Sequence, residues 1–162
     1  MAEIVLDREE LARKVRGLQE VGRKVVFTNG CFDILHVGHV RYLEGARAEG
    51  DVLVLALNSD ASVRRLKGPE RPLLSLEDRL TILSAFRSVD LLTAFEEDNV
   101  TPLLLALKPD VHAKGTDYTP GTVPEKDTVA AYGGRVAVVG DPKDHASRDL
   151  IREILRRYGP PS

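Results

Sequence analysis

The chain has 162 residues, 43% hydrophobic and 30% charged, enough for one globular core that needs no disulfide or metal staple. Lys plus Arg number 23 against 25 Asp plus Glu, a formal charge of -2, which disfavours a nucleic-acid partner and means that an anionic ligand must be held by a local cluster of cations. One cysteine, Cys31, rules out an internal disulfide; no signal peptide is visible and no apolar run reaches the ~20 residues of a bilayer span, so the expectation is a cytoplasmic protein with no membrane partner.

Asp7 and Glu10 read as a capping pair opening a first helix, with Leu11, Val15 and Leu18 on one face and Gly22 as its stop. Lys24-Val25-Val26-Phe27-Thr28 reads as a buried strand, followed by the tight segment Asn29-Gly30-Cys31-Phe32-Asp33 and a helix from near Val37 to Gly50. The run Val52 to Leu57 has the near-continuous apolar character of a central parallel strand, and Asn58-Ser59-Asp60 closes it and caps a short helix. Gly68, Pro69 and Pro72 make Lys67 to Leu74 a loop. Ser75 with Asp78 opens a helix through Phe86, Val89 to Ala94 is a third strand, and Asn99 caps a helix over Thr101 to Leu107. Asp110 to Lys114 is the fourth strand, Glu125 to Tyr132 a helix, Arg135 to Val139 the fifth strand, and Ser147 to Tyr158 the last helix.

Strands alternating with helices predict an α/β protein, a doubly wound (Rossmann-like) five-stranded parallel sheet with helices on both faces. The expectation is a single domain over 1–162, with 1–22 as an N-terminal helix and 159–162 as a frayed tail. Ligands of such sheets sit at the carboxyl ends of the strands, where the strand order switches. Thr28-Asn29-Gly30, Asn58-Ser59-Asp60 and Lys114-Gly115-Thr116-Asp117 each follow a strand and are expected to converge on one edge.

His36-Val37-Gly38-His39 stands where the first strand gives way to a helix. Gly38 permits close approach of a ligand to the backbone, the helix N-terminus offers free N–H groups, and two imidazoles three residues apart share a helical face. Together they suit a phosphate chain and the charge that builds on its bridging oxygens. A zinc site built on the histidine pair is a competing reading, but no cysteine other than Cys31 is present to complete it.

The segment from Thr28 to His39 resembles the HxGH motif of the cytidylyltransferase-like nucleotidylyltransferase superfamily. Asn58-Ser59-Asp60, Arg65 to Gly68, Arg71-Pro72, Glu77-Asp78-Arg79, Phe95 to Asp98 and Lys114 to Tyr118 extend the resemblance and favour the heptose 1-phosphate adenylyltransferase branch, over about Glu10 to Leu155. The resemblance implies in-line attack of a substrate phosphate on the α-phosphorus of an NTP, with Mg²⁺ carried on the NTP phosphates and no covalent intermediate. It implies catalytic roles for His36, His39, Lys67 and Arg79. It further implies a nucleotide site made by Thr28, Asn29, Gly30, Cys31, Phe32, Gly38, Asn58, Lys114, Gly115, Asp117, Ser147 and Arg148. Asp33 is read as structural, and Cys31 as a small packing residue rather than a nucleophile. A homodimer is expected by resemblance alone.

One segment departs from the family: relatives carry a Ser/Thr-rich stretch where this chain has His145-Ala146-Ser147-Arg148-Asp149, so Ser147 keeps one hydroxyl and Ala146 and Arg148 stand where relatives have hydroxyl residues; the alternatives are that Arg148 replaces them as a phosphate ligand, that the site has lost some affinity, or that it accepts a different NTP. The partners expected are an NTP, ATP before the others, and a small phosphorylated substrate, a heptose 1-phosphate. The alternatives are a cytidylyltransferase using CTP and glycerol 3-phosphate, and a nucleotide-binding sensor without turnover. A P-loop kinase is disfavoured because no G-x-x-x-x-G-K-[S/T] loop is present.

Overall fold

The computed structural model describes residues 1–142 and 146–160. In chain order the elements are β1 (Glu3–Ile4), α1 (Arg8–Glu20), β2 (Val25–Gly30), α2 (Val37–Arg47), β3 (Val52–Asn58), α3 (Asp60–Lys67), α4 (Leu76–Ser84), β4 (Leu91–Phe95), α5 (Thr101–Leu107), β5 (Val111–Gly115), α6 (Lys126–Ala131), β6 (Arg135–Val139) and α7 (Ser147–Tyr158). Among the described residues the sheet has six strands rather than the five expected, in the order β1-β4-β3-β2-β5-β6, and every pairing is parallel. The extra strand, β1, pairs only Glu3 and Ile4 with Leu91 and Leu92, and two residues are too few to show a period in sequence.

Both faces of the sheet are covered. The alternation of β3 splits its residues between two cores: Leu53, Leu55 and Leu57 pack with Leu43 and Ala46 of α2 and Leu80 and Leu83 of α4. Val52, Val54 and Ala56 pack on the other side with Leu11 and Val15 of α1, Leu103, Leu104 and Leu107 of α5, and Val129 of α6. All seven residues of β3 are buried, which is why the strand reads as a continuous apolar run.

Capping follows the sequence. Asp7 accepts from the Glu10 amide at 2.7 Å, Ser59 from Ser62 at 3.1 Å and Ser75 from Asp78 at 3.1 Å. Helix α2 ends at Arg47, three residues before the expected Gly50, because the chain must already turn there. A Cβ on Gly50 would lie 2.8 Å from the Lys24 carbonyl and 2.7 Å from Val26, so only glycine lets the turn into β3 pass this close to β2.

The strand order reverses between β2 and β5: the chain winds outward through β3 and β4, then returns to lay β5 on the other side of β2. Pairing between those two strands is short, Val26 with Val111 and Phe27 with His112, although β2 continues to Gly30 and β5 to Gly115. The two strands part at their carboxyl ends, and the site lies in that opening.

Candidate active site

A cleft of about 760 Å³ lies at this switch point, within the usual size of a small-molecule site. Its floor is the segment from Asn29 to Asp33, one wall is the start of α2, and the other walls are Lys67, the segment from Lys114 to Tyr118, the turn after β6 and the start of α7.

His36 is the residue before α2 and His39 sits in its first turn. The two rings stack with centroids 3.9 Å apart at 30°, both lining the cleft and both half-buried. The His36 amide donates to Nδ1 of His39 at 3.3 Å. A nitrogen that accepts an N–H carries a lone pair, which places the neutral ring's proton on Nε2. His39 is therefore set up as an Nε2–H donor beside the orphan amides of the helix N-terminus. Its ring also packs on Phe32, centroids 5.0 Å apart. Phe32 itself takes a left-handed backbone, φ 48°, and a Cβ on Gly30 would come within 2.7 Å of its ring. Gly30 is thus the residue that lets Phe32 fold under His39.

Lys67 ends α3 and reaches the cleft from the far wall. Lys114 lies at the end of β5, with its ammonium 5.2 Å above the Tyr118 ring. Burial pushes the Lys114 ammonium below the ordinary lysine range, partly offset by the charge of Glu125. Among the described residues no carboxylate lies within ion-pair distance of Lys67, Lys114 or Arg148, whereas two other cleft arginines are neutralised: Arg41 by Asp141 at 2.8 Å and Arg71 by Asp33 at 2.7 Å. The chain's overall charge is negative, yet this cleft collects cations, the local cluster that an anionic ligand requires. Asn29 adds a second sign of a missing partner: its buried Oδ1 has no hydrogen-bond partner among the described residues, on the cleft floor.

Three expected site residues fall outside the cleft lining. Arg79 is 1% exposed and donates to four acceptors: the carbonyls of Cys31 (2.7 Å), Asn58 (2.9 Å) and Leu74 (3.1 Å) and the Asp60 carboxylate (2.7 Å). It clamps the ends of β2 and β3 together from behind, with no face turned to the cleft, which corrects the expectation of a phosphate grip. Thr28 is fully buried; its hydroxyl donates to the Ala113 carbonyl at 3.0 Å and also pairs with the Tyr42 hydroxyl. Asn58 is 4% exposed, donates to Ser62 at 3.0 Å and accepts from the Cys31 thiol at 3.8 Å. Both support the cleft from beneath rather than line it. Asp33, read as structural, accepts from the amides of Leu73 and Leu74 and from Arg71. Burial alone would raise its carboxyl, but those donors hold it below the ordinary carboxylate range.

Residues 27–158 match the family described as cytidylyltransferase-like. The chain belongs to that family. It is a nucleotidyltransferase, and its histidine pair occupies the cleft that this fold forms at the switch point. Similar proteins include the bifunctional protein HldE of Syntrophotalea carbinolica, 51% identical over 93% of this chain and 31% of that protein. The bifunctional protein HldE of Geobacter metallireducens is 54% identical over 85% of this chain and 28% of that protein. The chain thus spans about a third of the length of the curated relatives it matches. The crystal structure of the lipopolysaccharide core biosynthesis protein from Thermoplasma volcanium GSS1 superposes with a TM-score of 0.64 at 25% identity, over 75% of this chain and 100% of that one.

In this cytidylyltransferase-like chain the start of α7 also borders the cleft, through Ala146, Ser147 and Arg148. His145, part of the atypical segment, lies outside the described residues, as do Pro161 and Ser162 of the expected frayed tail. The Ser147 hydroxyl donates to the Ile34 carbonyl at 3.0 Å, tying α7 to the loop that precedes the histidines. Cys31, Gly38, Gly115 and Asp117 line the cleft as expected. Burial pushes the Cys31 thiol up, which disfavours the thiolate and fits a packing role. Sequence reasoning gave Arg71 no role beyond its place in the resemblance, and missed Arg41 and the turn Gly140-Asp141-Pro142. The turn directly follows β6, so the rule that polar and glycine-rich segments after strands mark the site would have found it.

Proposed function

We propose that this chain transfers the adenylyl group of ATP to a heptose 1-phosphate and releases pyrophosphate. The observation that carries the reading is the stacked His36–His39 pair at a helix N-terminus, facing a cleft where Lys67, Lys114 and Arg148 have no carboxylate partner among the described residues. That set matches a substrate with charge at several points along a phosphate chain rather than a single carboxylate. The choice of a heptose is supported by the motifs shared with the heptose branch. A sugar phosphate also agrees with the fold shared with the Thermoplasma volcanium lipopolysaccharide core biosynthesis protein.

In the reaction an anionic oxygen of the acceptor phosphate attacks the α-phosphorus. The new P–O bond forms as the bond from that phosphorus to the α–β bridging oxygen breaks, and the electron pair leaves with pyrophosphate. The attacking oxygen is already anionic, so no general base is required. His39 donates its Nε2 proton as a hydrogen bond to oxygens that gain charge on the way to pyrophosphate, and the α2 amides act on the same group. Lys114 and Lys67 approach from opposite walls and hold the reacting phosphates in line.

Mg²⁺ fits this cleft as an ion carried on the NTP oxygens: of the carboxylates lining it, Asp33 and Asp141 are each engaged by an arginine, and Mg²⁺ commonly binds through substrate phosphates. When bound it would neutralise charge on the departing pyrophosphate.

The test is a pyrophosphate-release screen of ATP, CTP, GTP and UTP against heptose 1-phosphate and glycerol 3-phosphate. Release with ATP and the heptose supports the reading. Release only with CTP and glycerol 3-phosphate would establish the cytidylyltransferase alternative, and NTP binding with no release for any pair would leave a sensor.

A further inference from the structure

We propose that Tyr42 is a positioning residue of the cleft: its hydroxyl ties together the parting ends of β2 and β5, and its ring braces Phe32 and, through Phe32, His39. The inference rests on the reading of His39 as a donor to the phosphates.

The contacts begin where the ladder between β2 and β5 stops, at Phe27 with His112. One residue further on, side chains take over: the Thr28 hydroxyl donates to the Ala113 carbonyl at 3.0 Å. The Tyr42 hydroxyl, carried in from α2, pairs with the Thr28 hydroxyl and lies 3.2 Å from the same carbonyl. Thr28 spends its one proton on that carbonyl, so the Tyr42 proton is shared between the Thr28 oxygen and the carbonyl. Burial pushes the Tyr42 hydroxyl up to about 12, against its pairing with Thr28, so the proton stays in place at neutral pH. Three elements thus meet at one carbonyl, at the point where the strands separate. Cleft residues come from both strand ends, so the distance between those ends sets the contacts available to an NTP.

The ring has a second task. Tyr42 follows His39 by three residues, so the two share a face of α2. Phe32 packs on both: its ring centroid is 5.0 Å from that of His39 and 6.3 Å from that of Tyr42, the latter pair stacked at 22°. Gly115 and Gly140 pass beside the Tyr42 side chain, where a Cβ would stand 3.9 Å and 3.6 Å from it. Tyr42, Phe32 and His39 all line the cleft, so a shift of the Tyr42 ring is passed to the histidine. Packing alone calls for no hydroxyl at this position; the strand ends do.

The experiment measures kcat and the KM for the NTP by pyrophosphate release, on the substrate pair found in the screen above, for the parent, Tyr42→Phe, Tyr42→Leu, His39→Ala and a control, Val15→Ala. A parent with no turnover on any pair overturns the proposal together with the function. Val15 lies in the core on the other face of the sheet, so Val15→Ala should lower the melting temperature and leave both constants at parental values. Tyr42→Phe removes the tie but leaves Thr28 on the Ala113 carbonyl, so the fold survives. Its KM should rise about fivefold, the size of one neutral hydrogen bond, with kcat within about twofold of the parent. Tyr42→Leu removes the ring as well and should lower kcat on the order of tenfold. A parental KM in Tyr42→Phe overturns the proposal. So does a parental kcat in Tyr42→Leu, or the same changes in Val15→Ala, since they would then follow from lost stability. His39→Ala separates the two readings: near-parental turnover there sinks His39 as a donor and this proposal with it, whereas a loss in His39→Ala beside parental Tyr42 variants sinks this proposal alone. Should Tyr42→Leu fail to fold, Phe32→Leu breaks the same ring contact and must give the kcat loss; an unchanged kcat overturns the proposal.

Discussion

The His36 amide donates to Nδ1 of His39 and the two rings stack, so the imidazoles are coupled rather than independent. Replacing His39 with Ala should lower kcat by roughly 10²–10³, the loss of one charge-stabilising donor worth about 3 kcal/mol, with far-UV circular dichroism unchanged. Near-parental turnover would remove the pair from the mechanism. Arg79 behaves differently because its guanidinium is spent on the protein. Arg79→Ala should cost about 3 kcal/mol in urea unfolding, since it empties a buried site and leaves the Cys31, Asn58 and Leu74 carbonyls and the partly exposed Asp60 carboxylate without their donor. Arg79→Lys should recover only part of that, because one ammonium cannot reach four acceptors. Full stability together with weakened NTP binding would return Arg79 to the phosphates. The contrast shows what sequence carries at this scale. The histidines could be read because strand end, glycine and helix start are all local. Arg79 could not, because an arginine in an amphipathic helix has the same pattern whether it faces solvent or is aimed inward at Cys31 and Asn58.

Among the elements, the loop between α3 and α4 depends on a single side chain. Asp33 receives the amides of Leu73 and Leu74 and the Arg71 guanidinium, and so anchors that loop to the floor of the cleft. Its folded-state carboxyl titrates below the ordinary value, so the stabilisation is complete above the ordinary carboxylate range and is lost as pH falls through the depressed value. Thermal melts of the parent should therefore drop on acidification more steeply than those of Asp33→Asn, whose midpoint should start lower at neutral pH. Parallel slopes for the two proteins would discount the anchor. Most elements could be placed from sequence because their signals are short-range: the caps Asp7, Ser59 and Ser75, and the apolar run of β3. Boundaries set by distant neighbours could not. The end of α2 is dictated by how close Gly50 comes to Lys24, and β1 exists only because β4 offers an edge to pair with.

For the molecule as a whole, the parallel doubly wound architecture and the converging strand ends were visible in the alternation of strands and helices, while the strand order, and hence the cleft's location between β2 and β5, was not. Charge is also a whole-molecule property: a chain of formal charge -2 gathers cations without carboxylate partners among the described residues in one cleft. NTP affinity should accordingly fall as salt rises, on the ~10 Å screening scale of 0.1 M salt. Arg148→Ala should weaken binding about fivefold at low salt, ~1 kcal/mol for an exposed contact, and the gap should close at high salt. Equal affinities at low salt would make Arg148 a surface residue.

The short ladder between β2 and β5 carries a further consequence. Ladder pairing there is limited to Val26–Val111 and Phe27–His112, flanked by the Asp110 amide on the Val25 carbonyl and the Thr28 hydroxyl on the Ala113 carbonyl, so the sheet is two wings joined by a narrow seam that ends at the cleft. A nucleotide seated there would act as a wedge held from both sides, touching Asn29 and Gly30 on one wing and Lys114 and Gly115 on the other. Occupancy should then be felt in amide protons along that seam before any helix responds, so deuterium uptake at the ends of β2 and β5 offers a readout of binding independent of turnover.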